Sequence, residues 1–225
     1  MRVGSVFPDR GAPTRPEAIK AVRGGADPSR VRFIAVLLVI VGALAALGFA
    51  RHEQRIREQD QLASIAGDLA GRRVAVRCPS FLASLVDVRG EAGRVRFDAS
   101  GRPANRTDLS PQTCKALRHL RNVDFTCLER SGCGFKQFNA AWAAHTLAHE
   151  AFHLRGFQDE GVTECYGLQN TAFVAERLGV PTRQAEELQA WIYKRGYPNE
   201  PTEYQSSQCY DGGPLDLRPQ QRVFP

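Results

Sequence analysis

The chain has 225 residues, 43% of them hydrophobic and 24% charged, with a formal net charge of +6. The positive excess is local: residues 1–32 hold seven basic and three acidic side chains, which leaves +2 for the remainder. A nucleic-acid partner is therefore not indicated, because no basic stripe survives in the part that can fold.

The first 32 residues are rich in Pro, Gly and Arg and poor in apolar side chains, the composition of a disordered basic tail. Phe33 to Ala50 follows as 18 residues without a charge or a proline, near the lower limit for a helix that crosses a bilayer. Arg2, Arg10, Arg15, Lys20, Arg23, Arg30 and Arg32 precede it, whereas Arg51, Arg55 and Arg57 after it are interleaved with Glu53, Glu58 and Asp60. The positive-inside bias predicts a single-pass protein of the cell membrane, with a cytoplasmic N-terminus and an extracytoplasmic C-terminal part. A cleaved signal peptide is the competing reading, with Ala43-Leu44-Ala45 as its small-residue site; the long basic segment and long apolar stretch favour an anchor. Residues 51–70 read as a polar juxtamembrane helix acting as a spacer.

Residues 71–225 are enough for one domain with its own core. Arg73–Arg77 and Gly93–Asp98 alternate in strand fashion, and residues 99–103 make a turn. Ser110 caps a helix that starts at Pro111 and runs towards Arg121. Ala140, Ala141, Trp142, Ala143, Ala144, Leu147, Ala148 and Ala151 mark a strongly helical apolar segment that Gly156 stops. Asp159 caps a second helix running through Leu178 to Gly179, and Thr182–Lys194 forms a third with one apolar side. After Tyr197 the chain is irregular. The sum is a helix-dominated α+β domain with a small sheet beside its central helix.

That central segment contains His149-Glu150-Ala151-Phe152-His153, an instance of H-E-x-x-H. Positions i and i+4 share a helix face, so both imidazoles can reach one ion, and Glu150 can direct a carboxylate at water on that ion. A catalytic zinc commonly keeps three protein ligands and one open position. Glu160 and Glu164, themselves i and i+4 on the next helix, are the candidates for the third ligand; the other can hydrogen-bond a ligating histidine. His145 lies one turn before His149. Three turns are too long for all three rings to meet one ion, which places His145 in the cleft wall or against the next helix. A donor to the reaction's oxyanion would come from Tyr166, Tyr193 or His145.

Residues 139–170 resemble the gluzincin class of zinc metallopeptidases, in which HExxH is followed by a helix carrying a ligand glutamate, often as E-x-x-x-D. Here the second element reads Glu160-Gly161-Val162-Thr163-Glu164, with Glu in place of the usual Asp. The resemblance implies a zincin-like domain, Zn2+ held by His149, His153 and Glu160, Glu164 behind them, and Glu150 as general base. Arg155 stands where such peptidases usually carry an apolar residue. The expected activity is hydrolysis of a peptide or another cell-envelope substrate. An inactive zincin-like module and a disulfide-stabilised binding module without metal are the alternatives. All six cysteines follow the apolar segment, which suits disulfides in an oxidising compartment. Of the fifteen possible pairings, Cys165 with Cys209 is the one expected to tie the tail to the glutamate helix.

Overall fold

Alanine and leucine recur on nearly every face of the segment Ala140–Leu154, a composition that buries a helix on all sides. In the computed structural model, which describes residues 28–79, 91–130, 133–221 and 224–225, this segment belongs to a central helix, Phe135–Arg155. Gly156 ends it with φ at 118°, a left-handed conformation that side chains resist.

The described helices are α1 (Pro28–Ala70), α2 (Pro111–His119), α3 (Phe135–Arg155), α4 (Glu160–Leu168), α5 (Thr171–Arg177) and α6 (Thr182–Arg195). The strands are β1 (Ala75–Arg77), β2 (Gly93–Phe97) and β3 (Pro103–Leu109). Architecture is thus helix-dominated α+β. The chain divides into two compact units, residues 1–49 and 50–225. The first contains the apolar part of α1, whose side chains from Val36 to Phe49 are exposed. By length and composition α1 is able to cross a membrane. The tail expected over residues 1–32 lies outside the described residues up to residue 27, and from Pro28 the backbone is already helical.

Residues 51–70 are more than a spacer. Leu62, Ile65, Ala66 and Ala70 recur at i, i+3, i+4 and i+8, and all four are buried in the core of the second unit. Their stripe is short and set among Arg, Glu and Gln, so composition conceals it.

The sheet has strand order β1-β3-β2, with β1 parallel and β2 antiparallel to β3. Its middle strand, β3, is not among the expected elements; only Pro103 falls in the turn expected over residues 99–103. Pro103, Asn105, Arg106 and Asp108 are poor strand formers, yet pairing on both sides satisfies the backbone, and Pro103 occupies the tolerated first position. Val76, Thr107 and Val95 stand opposite one another across the three strands, and all are buried. Both β2 and β3 pack on α3. Ser110 caps α2 as expected, its hydroxyl accepting from the Thr113 amide.

The single helix expected over 160–178 is two. It breaks at Gln169 and Asn170, where the Gln169 amide nitrogen donates to the carbonyls of Cys165 and Leu215 and its oxygen accepts from the Leu217 amide. Gln169 therefore holds the C-terminal tail against α4. Cys165 and Cys209 are disulfide-bonded, as are Cys78 with Cys114 and Cys127 with Cys133. The bridges spanning 36 and 44 residues each contribute about 4 kcal/mol in the chain-entropy picture.

Because α1 ends inside the core, Ile65→Ala will lower the unfolding free energy by about 2–5 kcal/mol, as urea titration of the full chain in detergent micelles would read. A fragment starting at Ala50 will unfold cooperatively, and one starting at Gly71 will not.

Candidate metal centre

His145, His149 and His153 occupy successive turns of α3, and all three are buried. Asp159 starts α4 by accepting from the Val162 amide, which brings Glu160 and Glu164 back across the histidines. The Nε2 atoms of His149 and His153 lie 3.0 Å apart, and each is 3.1 Å from Glu160 Oε2.

The second ring nitrogens fix the tautomers. His153 Nδ1 lies 2.7 Å from the Phe157 carbonyl, which can only accept, so Nδ1 carries the proton. His149 Nδ1 lies 2.8 Å from Glu164 Oε2 and donates to it in the same way. In the neutral rings both Nε2 atoms are then lone pairs facing each other, with a carboxylate oxygen completing the triangle. Such a triangle requires a positive charge. Zinc with nitrogen and oxygen ligands at about 2.0–2.2 Å in tetrahedral geometry has edges of about 3.3–3.5 Å, a few tenths longer than those observed. Donor set and spacing fit a divalent ion. Burial alone would lower the His149 pKa, but its bonds to Glu160 and Glu164 raise it to about 10.

Glu164 is almost fully buried between His149 and His145, whose Nε2 lies 2.8 Å from Oε1. That contact is bent away from hydrogen-bond geometry. Burial favours the neutral acid, but His145 and His149 outweigh it and bring Glu164 down to about 2. The more exposed Glu160 is likewise brought to about 2: burial opposes, and its bonds to His149 and His153 prevail. His145, His149 and Glu164 form a second group whose ligand atoms converge. A histidine- and carboxylate-lined group able to hold a metal ion is therefore present, and His149 belongs to both sets.

Glu150 lines the same cleft and reaches towards the sheet. Its Oε2 is 3.1 Å from Thr107 Oγ1, which is also 3.1 Å from the Arg94 carbonyl. One hydroxyl proton serves two acceptors, so the carboxylate is weakly held, and burial raises its pKa against the opposing pull of His149 and His153. β2 passes directly over it: a Cβ at Gly93 would sit 2.7 Å from Glu150 Cγ, so a larger residue would displace the carboxylate.

Of the expected oxyanion donors, the two tyrosines fall outside the cleft lining. Tyr193 donates to the Cys209 carbonyl, and Tyr166 packs among Phe152 and Phe157. His145 lines the cleft wall against α4, as expected. Arg155 lies over the Phe152 ring. The tyrosine that lines the cleft among the described residues is Tyr204, its ring 5.8 Å from that of His149. Its hydroxyl makes no hydrogen bond among the described residues, and burial, then the carboxylates of Glu160 and Glu150, push it up to about 12. It is therefore a neutral donor at ordinary pH. Glu200 lines the same cleft. No sequence motif marks either residue, although pairing Cys209 with Cys165 already brings the preceding tail to the glutamate helix. Comparison with family models, curated proteins and solved structures finds no match for this chain.

His149→Ala and His153→Ala will each abolish binding of a divalent ion measured by elemental analysis, and Glu164→Gln will weaken it about 10- to 100-fold. Binding displaces the proton that His149 holds up to about 10, so below that pH apparent affinity will rise about tenfold per pH unit.

Proposed function

We propose that this protein is a membrane-anchored zinc hydrolase of gluzincin type, most simply a metallopeptidase, whose zincin-like domain faces away from the cytoplasm. The observation that carries the reading is the triangle of His149 Nε2, His153 Nε2 and Glu160 Oε2, with both tautomers fixed from behind. His149, His153 and Glu160 would hold the ion, and Glu164 would keep His149 in its ligating tautomer. Zinc, when bound, supplies Lewis acidity that polarises the scissile carbonyl and acidifies water.

The remaining work belongs to the chain. Glu150 takes the proton of the attacking water and passes it to the leaving amine; a carboxylate of raised pKa suits both steps. Tyr204 donates its phenolic proton in a hydrogen bond to the developing oxyanion. Among the described residues β2 is an edge strand with one side unpaired. An extended substrate can add to that edge, and β2 begins over Glu150. This favours a polypeptide over a small amide. Three disulfides in the second unit agree with an oxidising compartment, and the apolar part of α1 supplies the anchor.

Glu150→Gln will retain the metal and lose hydrolysis of a casein substrate, whereas Tyr204→Phe will retain the metal and lower kcat about 10²- to 10³-fold with little change in KM. Full metal occupancy with no hydrolysis by the wild-type chain would instead mark an inactive metal-binding module.

A further inference from the structure

Beside the histidine cleft, a larger cavity of about 940 Å³ opens along the N-terminal half of α3. The two share Glu91, Ala92, Trp142 and Thr146 in their walls, so they are successive stretches of one groove. The floor of the larger stretch is apolar, built from Ala116, Val123, Ala140 and Ala143, and the Phe135 ring stands 80% exposed at its mouth.

Charge on its walls is unbalanced. Lys115 and Lys136 are exposed there, and neither pairs with a described carboxylate. The acidic residue in the wall, Glu91, is already paired with Arg94 at 3.7 Å. An apolar floor beneath two unanswered ammonium groups is complementary to an apolar side chain flanked by a carboxylate. The distance is also set. From His149 to Asn139, which lines the groove, α3 rises about 15 Å, the length of about four to five residues of extended chain.

We infer that this groove is a substrate subsite that selects an acidic and apolar segment of an extended polypeptide, about four to five residues from the scissile bond. The inference rests on the hydrolase reading and names the substrate that such an enzyme takes. Lys115 and Lys136 attract the carboxylates, and the alanine-lined floor accepts Leu, Phe or a side chain of similar size.

The test uses the full chain in detergent micelles, loaded with zinc and given peptides from a proteome digest, with the new termini read by mass spectrometry. Expected is enrichment of Asp or Glu beside Leu or Phe at a fixed distance from the cleaved bond. The Lys115→Glu/Lys136→Glu variant should keep its zinc and lower kcat/KM for such peptides on the order of tenfold, while Lys115→Arg/Lys136→Arg should preserve it. Cleavage without that preference, or a preference indifferent to charge reversal, overturns the subsite and leaves the hydrolase reading standing. If nothing is cleaved, the hydrolase reading fails by itself. The groove is then judged by fluorescence anisotropy of labelled Glu-Leu-Phe-Glu-Leu on the Glu150→Gln chain. Binding lost on charge reversal sustains the groove as a site for an acidic and apolar segment, and absent or unaltered binding overturns it.

Discussion

Two imidazole nitrogens without protons repel each other at 3.0 Å in a buried cleft unless a positive charge lies between them. Everything around the His149–His153 pair serves to create that situation. The Phe157 carbonyl and Glu164 take the Nδ1 protons, α3 sets the two rings one turn apart, and α4 adds the Glu160 carboxylate as the third corner. Water would relieve the repulsion by solvating the rings, and burial prevents this. A site so constructed has the donor set to hold a cation.

Holding that geometry demands a stiff surrounding. The central helix is buried on nearly all sides, the sheet presses on it through β2 and β3, and the end of α1 fills the core behind. The disulfides act where secondary structure is thin. Cys78–Cys114 joins the end of β1 to α2, and Cys165–Cys209 fastens the irregular tail to α4. Tyr204 and Glu200 lean on that second tie, because only the single 3-10 turn Thr202–Tyr204 and an irregular connection carry them to the cleft.

The three carboxylates near the rings differ through their surroundings. Glu164 is buried between two histidines and Glu160 borders the cleft, so cationic partners lower both. Glu150 has neither kind of neighbour at hydrogen-bond distance; it shares one threonine proton with a carbonyl and is raised. Opposed shifts within one cleft suit the proposed hydrolase, which needs groups that stay anionic and one that exchanges a proton.

Sequence alone was sufficient for what depends on local periodicity and composition. The long apolar helix segment, the alanine-rich helix with its glycine stop, the Ser110 and Asp159 caps and the i, i+4 placement of His149 with His153 and of Glu160 with Glu164 need only neighbours within a few turns. The Cys165–Cys209 pairing was reachable too, since a tail without secondary structure needs a covalent tie. Tertiary structure decided what depends on distant partners. β3 is a strand because β1 and β2 flank it, despite its polar residues; Leu62, Ile65, Ala66 and Ala70 are core because the sheet domain folds around them; α4 and α5 separate because Gln169 bonds to the tail. It also replaced Tyr166 and Tyr193 with Tyr204 at the cleft. Side chains far apart in sequence meet only through packing, and no local pattern encodes which of several tyrosines the folded chain turns towards its histidines.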